Sequence, residues 1–408
     1  MNIWCISKYA CPPNYGTAAR LFFLSKEFIA QDHRAYLFTS DSNHLAKFPT
    51  VNNRYNFKEV EGVPVFWIKT KKYKKTASFA RVLSWFDFEL GLFRLKTKDI
   101  PPPDVVIVSS LSLFTVLYGL FLKKKFDAKL VFEVRDIWPL TLVEEGRMAK
   151  WHPLVLTMGW IEKLGYKKSD LIVGTMPRLE LHVQETLGYK KRVFCSPLGY
   201  AEDGYKDCSI KLDNFNIPKN KIVIGYAGSM GLTNALEDFV AVIKSLKGND
   251  EIFFALIGSG DMRATFQKEL SDCKNVHFYP KVDQCHVQNF LQCCDILYLS
   301  VKQSKVWDYG QSMNKVVEYM LAGKPILASY YGYPSMIDEA GCGLFVQHSE
   351  PGELKNTLLK MVGLGKDNLQ SMGEKGEVWV RARRSYATLA KEYLFELIKI
   401  VKPNNKPS

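Results

Sequence analysis

The same local pattern begins twice in this chain. Residues 1–7 form a short apolar run, followed by a loop that carries Gly16. A helical pattern over 18–30 and a second apolar run over 35–40 come next. Far downstream, residues 222–228 (IVIGYAG) enter the loop Gly228-Ser229-Met230-Gly231. A helical pattern over 236–247 and the run 253–258 follow. Strand, glycine-bearing loop, helix and strand in that order specify a parallel βαβ unit. In open sheets of this kind the loops after the strands gather at the carboxyl edge, where ligands bind. Further apolar runs at 104–109, 129–134, 171–174 and 193–197 extend the first set. Those at 276–279, 295–300, 325–329 and 343–346 extend the second. At 408 residues the chain exceeds one ordinary core, so two successive doubly wound α/β domains are expected. Residues 203–217 are polar and irregular, and the linker is placed there. A helical tail over 376–401 has no strand to pair with and is expected to pack on a domain already built.

Residues 307–329 (WDYGQSMNKVVEYMLAGKPILAS) carry the most chemistry. Asn314 suits an N-cap, with the helix running over 315–322. Gly323 supplies a left-handed C-cap, and Pro325 forbids continuation. The first-turn amides and the helix dipole make a phosphate site. One turn further in, the Glu318 carboxylate is placed to accept hydrogen bonds from two sugar hydroxyls. A nucleotide or nucleotide-sugar needs that pair of features. An ordinary capped surface helix has the same local sequence, and the stretch alone leaves both readings open.

Residues 69–98 differ in kind, with nine basic residues against two acidic ones around an aromatic-rich helix. Lys71, Lys72, Lys74 and Lys75, with Trp85 and Phe86, suit the surface of an anionic membrane. A helix packed on its own domain with a solvated basic rim is the alternative. No apolar run approaches the about 20 residues of a membrane span. Residues 109–122 come nearest but end in Lys123-Lys124-Lys125 and read as a buried helix. The run 129–134 leads into Arg135-Asp136-Ile137-Trp138-Pro139. Asp136 therefore stands where reacting groups collect, unless it pairs with Arg135. Over 151–168 a helix is expected with Trp160 on its apolar face.

The formal charge of +13 calls for an anionic partner. Nine cysteines, an odd number without CxxC spacing, read as reduced thiols of a cytosolic protein, with no secretory signal before the first strand. The seven histidines lack ligand spacing, and no structural metal is expected.

The order of these pieces resembles retaining glycosyltransferases of the GT-B fold, in glycosyltransferase family four. The nearest likeness is to the WbuB-type enzymes that build O-antigen or capsule repeat units. It rests on SKYACPPNYGTAARLFFLSKEF at the start, VRDIWP, and YGQSMNKVVEYMLAGKPI. The resemblance implies two Rossmann-like domains, at 1–205 on the acceptor side and 206–376 on the donor side, with 377–408 crossing back to the first. It implies transfer from a UDP-sugar, with an N-acetylated 6-deoxyhexosamine such as FucNAc as the expected group. The implied acceptor is an undecaprenyl-diphosphate-linked saccharide, met by a peripheral enzyme at the inner face of the bacterial cytoplasmic membrane. Catalysis is expected without a metal or other cofactor. On this reading Gly16, Gly228 and Gly231 let backbone approach the donor diphosphate, and Glu318 binds the ribose. Gly310 occupies a position where many relatives carry an acidic residue. Sugar contacts then fall to the backbone of Gln311, Ser312, Met313 and Asn314. The Gly228 loop carries Met230 and Asn234 where relatives often place arginine and lysine. Lys302, Lys305 or Lys315 could then supply charge against the leaving diphosphate, and Asp136 is the catalytic candidate for an acceptor-side or electrostatic role.

Two other classes compete. One is a GT-B epimerase of UDP-N-acetylhexosamine, but its acid/base constellation is not apparent in the sequence. The other is a non-enzymatic binder of nucleic acid or acidic polymer, but no nucleic-acid motif accompanies the charge.

Overall fold

The computed structural model describes residues 1–16, 18–42, 49, 51–73, 79–146, 148–202, 215–334, 336–347 and 351–402. Lys74, Lys75 and Cys208 lie outside them, as does most of the expected linker. The chain divides into two compact units, Met1–Ala201 with Tyr386–Ser408, and Glu202–Ser385.

The first unit is built on β1 (Asn2–Ile6), α1 (Arg20–Ala30), β2 (Arg34–Ser40), β3 (Tyr55–Val60), β4 (Val63–Ile68) and α2 (Phe79–Phe93). It continues through β5 (Val105–Ser109), α3 (Thr115–Phe126), β6 (Lys129–Val134), α4 (Leu140–Glu144) and α5 (Pro153–Lys168). It closes with β7 (Leu171–Gly174), α6 (Leu179–Leu187) and β8 (Val193–Cys195). The eight strands form one sheet in the order β3-β4-β2-β1-β5-β6-β7-β8. Among the described strands of this sheet only β3 runs antiparallel, paired with β4. Strand order reverses between β1 and β5, so the crevice beyond their carboxyl ends is the ligand edge of this sheet. β1 and β5 are buried almost throughout, as strands covered on both faces must be.

The second unit carries β9 (Ile222–Ala227), α7 (Glu237–Ser245), β10 (Ile252–Ile257), α8 (Arg263–Glu269), β11 (Val276–Tyr279), α9 (Gln284–Gln292) and β12 (Ile296–Ser300). It goes on through α10 (Asn314–Leu321), β13 (Ile326–Ser329), α11 (Met336–Glu339), β14 (Gly343–Val346), α12 (Pro351–Val362) and α13 (Gly365–Arg384). Its six strands are all parallel, ordered β11-β10-β9-β12-β13-β14, with the reversal between β9 and β12. This is the doubly wound order of dinucleotide-binding sheets.

The helical tail is two helices rather than one. Ser385, with extended dihedrals of −63° and 143°, ends α13 within the second unit. The chain then enters α14 (Tyr386–Val401), whose first amide donates to the Tyr200 carbonyl at 2.9 Å. Tyr386 stacks on Phe23 and Tyr393 on Phe28. The apolar face of α14 thus completes the core of the first unit against α1. Among the described residues no helix is long and apolar enough to cross a membrane.

Trp160 reverses its expectation. It is 61% exposed on α5, while Val155, Met158 and Ile161 face inward. Apolar residues nearly encircle this helix, so spacing alone does not choose its buried side.

Candidate functional site

The carboxyl edge of the second sheet brings together segments that are distant in sequence. The backbone of Lys302, just past β12, donates to the Thr233 carbonyl at 2.9 Å. The Ser300 hydroxyl donates to the Asn234 carbonyl at 2.6 Å. The loop after β9 is thereby laid across the switch point. Gly258, after β10, presses against the same loop. A Cβ at Gly258 would stand 1.8 Å from the Gly228 carbonyl oxygen, and its φ of +139° is one that side chains disfavour. Only bare backbone lets two loops meet this closely.

α10 begins at this edge. Met313 occupies the N-cap position and Asn314 is the first helical residue, which corrects the expected cap. No side chain caps the helix, and Gln311 Oε1 instead braces the turn before it by accepting from the Met313 amide at 3.1 Å. Gln311 is buried and Ser312 half-buried, so the turn into the helix is held in place. Gly310 is buried at φ 90° and ψ 171°, a region open almost solely to glycine. The missing carboxylate at this position therefore goes with a backbone path that no acidic residue adopts without strain. Gly323 at φ +65° ends the helix as expected.

Lys315 is the residue on which this edge turns. Its ammonium donates to Asn234 Oδ1 at 3.1 Å and Tyr226 Oη at 3.2 Å, and stands 4.6 Å from the Tyr226 ring centre. It comes so near Gly228 that a Cβ there would lie 2.9 Å from Nζ. Burial pushes this lysine down to about 8, partly offset by the Glu318 carboxylate. Glu318 is half-buried one turn along α10, and its backbone carbonyl accepts from Gln288 Nε2 at 3.0 Å. Of the three candidate lysines, Lys315 has its ammonium against the Gly228 loop. Lys302 reaches that loop through its backbone, and Lys305 is exposed at the start of the short turn Lys305–Tyr309. Gly231 is half-buried at the far end of the loop.

The first sheet presents a different edge. Lys8, two residues past β1, is buried and donates to the Ser42 carbonyl at 3.0 Å. Burial and the nearby Arg81 charge push it down to about 7. The Tyr9 hydroxyl accepts from Trp85 Nε1 at 2.7 Å and from Arg81 Nε at 3.3 Å. Trp85 is thus 4% exposed and committed to the interior, against the expectation that it faces a membrane. Glu89 is buried on α2 and accepts from Thr115 Oγ1 at 2.6 Å and Ser112 Oγ at 3.3 Å. Burial pushes its carboxyl up to about 8. Asp136 sits half-buried after β6, its backbone pinned by the Ser110 hydroxyl. Burial raises its carboxyl above the usual range, with Arg135 and Arg81 pulling the other way. No ion pair links Arg135 to Asp136, and Arg135 Nη1 is buried without a hydrogen-bond partner among the described residues. Gly16 ends the short turn Pro13–Tyr15, its amide donating to the Pro13 carbonyl.

Lys71 and Phe86 are exposed, but Lys72 is held by Asp41 at 2.7 Å. Lys8, Tyr9, Arg81 and Glu89 were not anticipated from the sequence. A lysine two residues past the first buried strand was the available signal. Among the described residues no group of metal-ligating side chains is assembled. A cavity of about 520 Å³ lined by Asn216, Lys219, Asp295 and Lys366 lies at the amino edge of the second sheet, away from the loops described.

Two parallel-sheet Rossmann-like units of this kind match the structures of GT-B glycosyltransferases. The sucrose-phosphate synthase of Thermosynechococcus elongatus superposes with a TM-score of 0.75 at 14% identity, covering 99% of this chain and 100% of that one. HepE of Anabaena, in complex with UDP and glucose, gives 0.65 at 12% identity, covering 97% and 99%. WaaG, a glycosyltransferase involved in lipopolysaccharide biosynthesis, gives 0.63 at 12%, covering all of both chains. In sequence, residues 221–363 match the family model described as glycosyl transferases group 1. No curated protein matches the chain. The family match and the fold together support a sugar-transferring enzyme.

Proposed function

We propose that the protein is a retaining glycosyltransferase that takes its sugar from a UDP-sugar. The acceptor in this reading is an undecaprenyl-diphosphate-linked saccharide of O-antigen or capsule assembly, met at the inner membrane face. The transferred group is an N-acetylated 6-deoxyhexosamine such as FucNAc. The observation that carries the reading is Lys315, with its ammonium against the Gly228 loop at the start of α10 and Glu318 one turn beyond. A lysine, bare loop backbone and first-turn amides suit a diphosphate, and a carboxylate at that spacing suits a ribose diol. The UDP complexes of HepE favour uridine as the base.

In the proposed reaction the bond from the anomeric carbon to the diphosphate oxygen breaks, and its electron pair leaves with UDP. The acceptor hydroxyl oxygen bonds the same face of that carbon, and its proton passes to the departing phosphate oxygen. Charge builds on the leaving group, so the buried ammonium of Lys315 and the α10 amides stabilise the transition state. No metal ion is assigned a part in this proposal, and activity in excess chelator tests that assignment. Asp136 and the Lys8–Tyr9 edge of the first unit are assigned to the acceptor.

A thermal-shift panel of nucleotides and nucleotide sugars tests the donor. UDP and UDP-sugars are expected to raise the melting temperature, and adenine nucleotides are not, because a ligand that binds only the folded form stabilises it. Absence of a shift with every uridine nucleotide would overturn the reading.

A further inference from the structure

The surface of the first unit holds a cavity of about 370 Å³ beside α2. Arg54, Lys69, Lys71 and Arg94 line it, with Asp87 and Gly91. Asp87 and Gly91 lie one turn apart on α2, and Arg94 follows directly after the helix ends at Phe93. Gly91 lets the helix settle on β4, since a Cβ there would meet Ile68 Cγ2 at 2.4 Å. The Lys71 amide already satisfies Asp87 Oδ2 at 2.6 Å, and Lys69 Nζ rests on the Asn52 carbonyl at 3.1 Å. Four basic residues and one carboxylate therefore line the cavity. None of the four pairs with a carboxylate within salt-bridge distance among the described residues.

The adjoining face of the same helix is apolar and exposed. Leu83, Phe86, Leu90 and Phe93 are 37%, 50%, 46% and 49% exposed, far more than a core-facing row would be. Their spacing puts them in one stripe directly beside the face that holds Asp87 and Gly91. Phe121 of α3, 43% exposed and 5.2 Å from the Phe93 ring, widens the apolar row.

We infer that this cavity is a headgroup site for an anionic phospholipid, with the Leu83–Phe86–Leu90–Phe93 stripe seated among the acyl chains next to it. The inference rests on the reading that the first unit works at a membrane. It adds a defined site, which Lys72 and Trp85 cannot supply because both are committed to the protein itself. Arginine forks and lysines match a phosphodiester, and an apolar row at headgroup depth matches the acyl boundary. A second copy of the chain suits the stripe poorly. A two-fold contact through it would bring two cation clusters of like charge together, on a chain of net charge +13.

The test is sedimentation with vesicles of phosphatidylcholine alone and of phosphatidylcholine with phosphatidylglycerol, at one ionic strength. The wild type is expected to bind only the anionic vesicles. The double variant Arg54→Gln/Arg94→Gln should bind them at least tenfold more weakly, following the usual contribution of basic residues near a charged surface. The double variant Leu90→Asn/Phe93→Asn should also lose binding. A control of equal charge change on the second unit, Lys268→Gln/Lys375→Gln, should bind within about twofold of wild type, since a general surface field is weaker than a site. Melting temperatures of all variants check that each is folded. If Arg54→Gln/Arg94→Gln binds like the control while the wild type binds anionic vesicles, the headgroup site is wrong and the membrane reading survives. If the wild type binds neither vesicle, both fall. A wild-type dimer in solution that Leu90→Asn/Phe93→Asn dissociates would assign the stripe to a second copy instead.

Discussion

The two sheets share a winding plan but furnish their carboxyl edges in opposite ways. In the second unit the edge is mostly backbone, with Gly228 and Gly258 in contact, the start of α10, and one buried lysine among neutral partners. In the first unit the edge is crowded with side chains. Lys8, Arg81, Glu89 and Asp136 sit around Tyr9 and Trp85, several of them driven from their usual protonation ranges by burial. Backbone amides and a single cation recognise what all nucleotide diphosphates have in common. Titratable and aromatic side chains recognise what distinguishes one sugar acceptor from another. In the proposed function the general half of the reaction falls to the second unit and the particular half to the first.

The strongest way to break this contrast is Lys315→Met. With charge withdrawn from the leaving diphosphate, turnover should fall by about 10²–10³. The same variant should leave the free protein no less stable at pH 7. Its lysine is held at about 8 in the fold against 10.5 in the open chain. Between those values the unfolded chain binds more protons, so stability rises with pH across that window, and at pH 7 the buried charge is a cost. A variant that lost both activity and stability would instead make Lys315 an ordinary structural residue.

Next comes Glu318→Ala. Loss of a carboxylate accepting from two ribose hydroxyls should weaken UDP binding by about 10- to 100-fold, by calorimetry, without change of fold. Third is the pH profile. kcat/KM should fall as pH rises through about 8, because deprotonated Lys315 no longer attracts the diphosphate. Lys315→Arg, which keeps its charge, should lose that falling limb. Smallest is Trp85→Phe, which removes the nearer of two donors to the Tyr9 hydroxyl and leaves Arg81 Nε. It should cost about 1 kcal/mol in stability and shift the acceptor KM, while UDP affinity stays unchanged. A change in UDP affinity there would erase the division of labour between the units.

Much of this was legible in the sequence because parallel strands buried on both faces are short apolar runs between loops and helices. The glycine loops and α10 could be placed for that reason. β3 and β4 were not found. Tyr55–Val60 is an exposed antiparallel edge without alternation, and Pro64 interrupts the apolar run of Val63–Ile68. The break between α13 and α14 was hidden as well, since no glycine or proline marks Ser385. Trp85 and Trp160 exchanged their expected sides, because rings on helices with apolar residues all round carry no directional signal. Lys315 could be named only as one of three lysines. What singles it out is its approach to Gly228, Tyr226 and Asn234, a tertiary fact that no local spacing encodes.

The central claim is that the second unit holds the donor through Lys315 at the start of α10. Calorimetric titration of UDP at pH 7 into the wild type and Lys315→Met, with the melting temperature of each recorded without ligand, tests it most directly. The account predicts at least a tenfold loss of affinity, in the range of charged hydrogen bonds, with a melting temperature at or above that of wild type. Equal affinity for UDP in a folded Lys315→Met protein would contradict it.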